Sequence, residues 1–290
     1  MKAIIFGINS QDGFFLSEIC KQRAIEVVGV SRTSGEWLQG SVSDQPFTEQ
    51  LIGEVKPNYI FHLAANSSTR HEVLYENNLT INSGTIYIME AARRFAPSAK
   101  VFITGSGLQF KNLGKPIRET DAFEANSAYS MSRIQSVYAA RYFRSVGLST
   151  YVGYLFHHES PMRKEHHMSK VIAEAAKRIM SGSKEKITIG DISVQKEWAY
   201  SRDIAEGIFT LVTQDRVSEA TIGTGITYSI EDWLTACFQI AGKSWQDHVV
   251  LPGHSFKAEY PVLVSDSATM HSIGWRPRTS FSQLSQIMMQ

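Results

Sequence analysis

The chain has 290 residues, 43% hydrophobic and 20% charged, a balance that supplies ample apolar material for a core and excludes disordered and fibrous classes. Lysine and arginine number 29 against 28 acidic residues, so no net field holds the chain on nucleic acid or an anionic membrane, and any anionic ligand must be met by a local site. Two cysteines without CxxC spacing, Cys20 and Cys237, argue against a disulfide framework or a zinc site and suit buried apolar positions in a reducing cytosol.

The N-terminal apolar run is too short for a secretory h-region. No stretch approaches the ~18 uninterrupted apolar residues of a membrane span, so a cytoplasmic protein with neither membrane nor nucleic-acid partner is expected. AIIFG (residues 3–7) reads as a buried strand, followed by a glycine-containing turn and a helical pattern in FFLSEICKQRA (14–24). EVVGVSR (26–32), YIFHLAA (59–65), KVFITGS (100–106) and STYVGYLF (149–156) repeat the strand pattern. Between them NSGTIYIMEAARRFA (82–96) and SAYSMSRIQSVYAARYFRSVG (127–147) are amphipathic at helical spacing. This alternation predicts an α/β fold with a Rossmann-type doubly wound parallel sheet over residues 1–160. From 161 to 290 the alternation loosens, which predicts a smaller mixed α/β substrate domain, with some later segments returning to the first.

The turn FGINSQDG runs from Gly7 through Asn9, Ser10, Gln11 and Asp12 to Gly13. Its small residues let backbone approach a diphosphate, and the helix that follows offers free N–H groups and the positive end of its dipole. Ser10 stands at the middle glycine position and keeps the approach, though without glycine's freedom of positive φ. The second strand ends in Ser31, Arg32, Thr33 and Ser34 rather than an acidic residue. A cation with neighbouring hydroxyls suits a 2′-phosphate, so NADP(H) is favoured and NAD(H) stays possible.

With this turn, HLAANSS (62–68) and Tyr129 followed four residues later by a basic residue, the chain resembles the extended short-chain dehydrogenase/reductases of the nucleotide-sugar epimerase/dehydratase group. FGINSQDG is similar to the GITGQDG turn of the GDP-mannose 4,6-dehydratases, LFHHESPMR (155–163) to their LFNHESPRR, and IGDISVQKEWAYSRDIAEGI (189–208) to their GNLDAKRDWGHAKDYVEAM. The tail resembles the LGWxPxxSFxxL pattern of that family; the GDP-4-keto-6-deoxymannose reductases are close relatives. The resemblance implies cofactor contacts at Leu63, Ala64, Ala65 and Asn82. It implies nucleotide-sugar contacts, with a GDP-hexose first, at His157, Glu159, Arg163, Lys196 and Trp198, and a homo-oligomer, dimer or tetramer. His157 and Lys196 replace an asparagine and an arginine of the family, and Tyr260 replaces another arginine.

The resemblance further implies Tyr129 as proton donor or acceptor at the substrate oxygen, Ser106 as its hydrogen-bonding partner, and Arg133 at the family's lysine position. A guanidinium can favour a phenolate electrostatically and hydrogen-bond a ribose hydroxyl, but it cannot relay a proton. The family's dehydrating glutamate falls on Leu108, and a one-residue slip offers only Gln109 while moving Gly107 onto the hydroxyl position. The expected reaction is therefore NADP(H)-dependent reduction at C4 of a GDP-4-keto-6-deoxyhexose. A dehydratase or epimerase with an unusual catalytic set, or a catalytically weakened nucleotide-sugar-binding paralogue, are the alternatives. His157–His158 and His166–His167 flank the same loop, but adjacent histidines project in different directions and no metal is expected. Asp203 is expected to cap a helix, and Trp233, Phe238 and Trp275 to fill the core of the small domain.

Overall fold

Strand β1 (Lys2–Phe6) has one exposed residue followed by four buried ones, the mark of a strand covered on both faces. A computed structural model describes residues 1–252 and 260–290. After β1 come α1 (Gln11–Gln22), β2 (Glu26–Ser31), β3 (Leu38–Gln39), α2 (Gln45–Val55), β4 (Tyr59–His62), α3 (Leu74–Asn77), α4 (Gly84–Phe95), β5 (Lys100–Ser106), α5 (Ala128–Ser145) and β6 (Thr150–Leu155). The first helix begins three residues earlier than its apolar spacing indicates, because the Ser10 side chain accepts the Gly13 N–H and caps it. The short strand β3 and helix α2 are additions to the predicted elements. α2 carries its own signal, with Asp44 as N-cap and a proline in its first turn. A π-helical turn, Asn78–Ser83, leads into α4.

The second half supplies β7 (His158–Glu159), α6 (Met168–Met180), β8 (Ile187–Thr188), β9 (Gln195–Glu197), β10 (Ala199–Tyr200), α7 (Ser201–Thr213), β11 (Glu219–Ile222), β12 (Thr227–Ser229), α8 (Ile230–Ile240), β13 (Val249–Val250), β14 (Val262–Leu263), α9 (Ala268–Ser272) and α10 (Phe281–Met289). The main sheet has seven parallel strands in the order β11-β6-β5-β4-β1-β2-β3. The chain leaves β1 toward β2 on one side and returns to β4 on the other. The carboxyl ends of β1 and β4 therefore flank a topological switch point, where open α/β sheets bind ligands.

One core, including Ile88, Met89, Val137 and Ala140, packs α4 and α5 on one face of the sheet. The other face is covered by α1 and α7, which pack on each other, with Leu16, Ile19, Ile204 and Ile208 buried there. A third core joins α6, α8 and α10 around Trp198, Trp233, Phe238 and Leu284. Trp275 departs from expectation: it packs in the α1–α7 core, and its indole N–H donates to the Asp203 carbonyl. Asp203 itself lies inside α7. Its carboxylate accepts the N–H groups of Arg278 and Thr279, so it staples the C-terminal segment to the sheet domain instead of capping a helix. Both cysteines are buried and free.

At the β11 edge, the Glu219 carboxylate accepts from Arg141 at 3.0 and 2.7 Å, from Arg144 at 2.9 Å and from the Tyr154 hydroxyl at 2.7 Å. Burial alone would raise the pKa of Glu219, but these hydrogen bonds hold it down to about 2. Replacing it as Glu219→Gln leaves two guanidinium groups short of a counter-charge and should cost about 2–3 kcal/mol at pH 7. A depressed carboxylate pKa contributes stability above the ordinary value of 4.5 and loses it as pH falls toward 2. The gap in denaturant midpoint between wild type and variant should therefore narrow steadily below about pH 5.

Candidate active site

At the end of β1 the chain turns at Gly7 with φ +89, where a Cβ would sit 2.7 Å from the Ala64 nitrogen. At Gly13 a Cβ would sit 2.3 Å from the Gly7 oxygen. Only backbone fits at either position. Ser10 both accepts from Gly13 N–H at 3.0 Å and donates to Gly7 O at 2.8 Å, closing the turn upon itself. The cleft above the turn holds about 190 Å³ and is lined by Gly7, Asn9, Ser10, Arg32, Leu63, Ala64 and Ala65. Ser41, Val42, Thr80 and Lys164 are among its other lining residues, and these four were not found from sequence. Lys164 follows the ESPMR run and carried no motif signal, since only the tertiary fold brings that loop to the cleft. Arg32 sits on the rim, paired with Glu76 at 2.9 Å, and Asn9 donates to the Thr33 hydroxyl.

Gln11 and Asp12 turn their side chains away from this cleft, toward β7. Gln11 accepts from the Ser160 hydroxyl at 3.0 Å and donates to the His158 carbonyl, while Asp12 pairs with the His158 ring at 2.9 Å. Asn82 lies in the π-helical turn, which packs on α5. Such turns interrupt regular helix hydrogen bonding and recur at functional sites.

Tyr129 and Arg133 stand one turn apart on α5, which is started by a capping box between Ser127 and Ser130. The Arg133 guanidinium lies 5.1 Å from the Tyr129 ring centroid and donates to the Thr104 carbonyl at 2.6 Å. It is 2% exposed, its Nε–H is buried without a partner, and no carboxylate pairs with it among the described residues. A buried cation in this condition is costly unless a ligand or phenolate answers it. Beneath it His62 is pushed down to about 3 by burial and by Arg133, so the neutral ring donates Nε2–H to the Thr80 carbonyl. Ser106 ends β5 on the turn that packs against α5; its hydroxyl oxygen accepts the Leu108 N–H at 3.2 Å, leaving its proton free to donate. Gln109 is fully buried, and its side-chain amide oxygen Oε1 accepts the Ser106 N–H at 2.9 Å.

The residues predicted from sequence to meet a nucleotide-sugar form a second cluster. Glu159 is fully buried, with His157 at 2.8 Å and Arg163 at 3.3 Å. Burial would raise its pKa, but His157, Arg163 and Lys196 around it hold the carboxyl well below the usual range. Lys196 lies 4.9 Å over the Trp198 ring and is pushed down to about 8, chiefly by burial. It lines a cleft of about 450 Å³ together with His166, Asp191 and Tyr260. Trp198 is 2% exposed and stacked on Trp233 at 4.5 Å, so it supports Lys196 from below and is closed to a ligand. Glu197, next to it, is spent on structure: its carboxylate accepts from Ser265 and Thr224. Among the described residues no group of three or more His, Cys, Asp or Glu could hold a metal ion, and no helix is long and apolar enough to cross a membrane.

A family model for GDP-mannose 4,6 dehydratase matches residues 4–288. The chain belongs to the GDP-mannose 4,6 dehydratase family. It is thus an enzyme of the extended short-chain dehydrogenase/reductase, nucleotide-sugar dehydratase/epimerase type. GDP-mannose 4,6 dehydratase 1 of Arabidopsis thaliana is 26% identical over 317 residues, covering 99% of this chain and 88% of its own. The Homo sapiens GDP-mannose 4,6 dehydratase is 24% identical over 329 residues, covering 97% and 88%. Among solved structures, UDP-glucose 4-epimerase of Thermotoga maritima with UDP-glucose superposes at a TM-score of 0.86 with 19% identity, over 100% of this chain and 97% of that one. RMD from Pseudomonas aeruginosa complexed with NADPH superposes at 0.84 with 17% identity, over 99% and 96%.

In this family member the turn makes a graded prediction. Ser10→Ala removes the cap and the hydroxyl's bond to the Gly7 carbonyl and should cost about 1–2 kcal/mol. Gly13→Ala forces a Cβ against backbone that cannot step aside and should cost about 3 kcal/mol. Equilibrium denaturation of both variants checks the order; equal losses would show that the turn relaxes around the added methyl.

Proposed function

We propose that this enzyme reduces the C4 keto group of a GDP-linked 4-keto-6-deoxyhexose, with NADPH as the reductant. The observation that carries this reading is the turn after β5, where Leu108 and Gln109 stand and neither bears a carboxylate. Elimination of water from a hexose needs an acid/base at the carbon beside the ketone, whereas reduction needs only a hydride, a proton donor and a held substrate. Gln109 could not substitute, because an amide lacks basicity and this one is already engaged by Ser106.

NADPH, when bound, supplies the hydride. Gly7, Ser10 and Gly13 would hold its diphosphate, and the backbone contact distances at the two glycines fit a cradle that no side chain may enter. The unpartnered Nε–H of Arg133 fits a ribose hydroxyl. Arg32 fits a 2′-phosphate: its ion pair with Glu76 is largely solvent-exposed, hence weak, and is readily exchanged for a phosphate contact. Tyr129 donates its proton to the C4 oxygen as the alcohol forms, and Ser106 donates a hydrogen bond to the same oxygen. Arg133 stays charged throughout and steadies the phenolate left behind. Lys196, over its cleft, meets the sugar nucleotide's diphosphate as a point charge.

The test is NADPH absorbance on mixing with GDP-4-keto-6-deoxymannose, with NADH in parallel. Oxidation of NADPH is expected, slowed at least about 100-fold in Tyr129→Phe. Conversion of GDP-mannose without net loss of reduced cofactor would replace this reading by dehydration, the activity named for the curated relatives. Binding of both ligands without turnover would leave a binding paralogue. A homo-oligomer is also proposed, supported by Tyr138 and Tyr142, 60% and 62% exposed on the outer face of α5. Glutamate at both positions should yield a monomer by sedimentation equilibrium.

A further inference from the structure

Residues 157–163 leave β6 and lie against the first turn of α1, so one segment touches both halves of the site. Its anchor is His158. The ring Nδ1 lies 2.6 Å from the Phe156 carbonyl oxygen, and Nε2 lies 2.9 and 3.1 Å from the two Asp12 carboxylate oxygens. Both ring nitrogens therefore face acceptors. A neutral imidazole has one N–H and would leave a lone pair against an oxygen at one of these contacts, whereas an imidazolium satisfies both. The pair is well enclosed, with side chains 12% and 16% exposed. Gln11 reinforces it on both sides, through the His158 carbonyl and the Ser160 hydroxyl.

The surroundings of the ring are few. Burial opposes its charge most and Arg163, on the same loop, adds to that, but Asp12 together with the Phe156 carbonyl outweighs them and holds the His158 pKa above its ordinary value. On β10, which pairs with β7, Tyr200 is a phenol made harder to ionise by burial and stays neutral at pH 7. Glu159, the next residue, is matched by His157, Arg163 and Lys196 instead. Asp12 has no such choice: among the described residues His158 is its one ion-pair partner.

We propose that His158 is a positioning residue whose positive charge cancels Asp12 in the first turn of α1, so that the Gly7–Gly13 turn can accept a cofactor diphosphate while the substrate-side segment stays fastened to it. The proposal rests on the dinucleotide reading of that turn. Without His158 the Asp12 carboxylate would stand uncompensated and enclosed within the helix turn that must receive a dianionic diphosphate, and the two charges would repel across a medium that screens them poorly. The same loss would free the segment carrying Glu159 and Arg163.

Fluorescence titration with NADPH, and with NADH, of wild type, His158→Gln, Asp12→Asn and the double variant tests this. His158→Gln should weaken cofactor binding at least about tenfold, and adding Asp12→Asn should restore it to within about threefold of wild type. A purely structural tether predicts the reverse, with the double variant no better than the single. In wild type, affinity should fall as pH rises through the His158 pKa, and Asp12→Asn should flatten that dependence; this comparison decides the matter if His158→Gln does not fold. Unchanged binding in His158→Gln, or a double variant as poor as the single, overturns the proposal alone. Failure of the wild type to bind either nucleotide overturns the dinucleotide reading, and the proposal with it.

Discussion

The close approach of two backbones at the head of the sheet governs the rest of this structure. β1 and β4 are hydrogen-bonded neighbours, and the chain beyond each must bend away in opposite directions. They separate where Gly7 passes so near Ala64 that no side chain could stand between them. Because the strands are neighbours, the crevice opens at that point. Because Gly13 closes on Gly7, the first helix starts beside it with its N–H groups presented to the crevice. The cleft above the Gly7 turn is a consequence of strand order and of two absent side chains, and Arg32, Leu63 and Thr80 line it because β2, β4 and the turn before α4 end there.

Charge is distributed with similar economy. Nearly balanced overall, the chain buries ions at several places, and three of them differ in how the charge is matched. Around Glu219 the arrangement is closed: a carboxylate matched by two arginines and a phenol, which secures the sheet edge. Around Glu159 and Lys196 it is open on one side, toward the cleft with Tyr260. At Arg133 it is incomplete, since among the described residues the cation meets a carbonyl and an aromatic face but no carboxylate. An unmatched buried charge is a cost that folding alone does not explain, and it marks the place where chemistry is expected.

The strands of the first half were readable because a parallel strand buried on both faces shows as an unbroken apolar run, and the runs at 3–7, 26–32 and 100–106 did so with little else to confuse them. Helix starts were less readable where a polar side chain, as at Ser10, begins the helix ahead of its apolar face. Trp275 and Asp203 were misassigned for a common reason: the C-terminal tail crosses back to the sheet domain, and neither residue advertises which core it joins. The π-helical turn before α4 has no sequence signature of its own.

Much of the candidate site was legible as motif. Gly7 and Gly13, Tyr129 with Arg133, and the missing carboxylate at Leu108 are statements about residue type at fixed spacing, and local chain geometry suffices to give them meaning. What only the tertiary structure decided is who faces whom. Gln11 and Asp12 belong to the turn by sequence yet point to β7; Trp198 was expected to meet a ligand yet is sealed under Lys196; Lys164 belongs to no motif yet lines the cleft above the Gly7 turn. The physical reason is the same in each case. Local sequence determines backbone direction over a few residues, but the direction and company of a side chain depend on packing between segments 100 or more residues apart, as between Asp12 and His158.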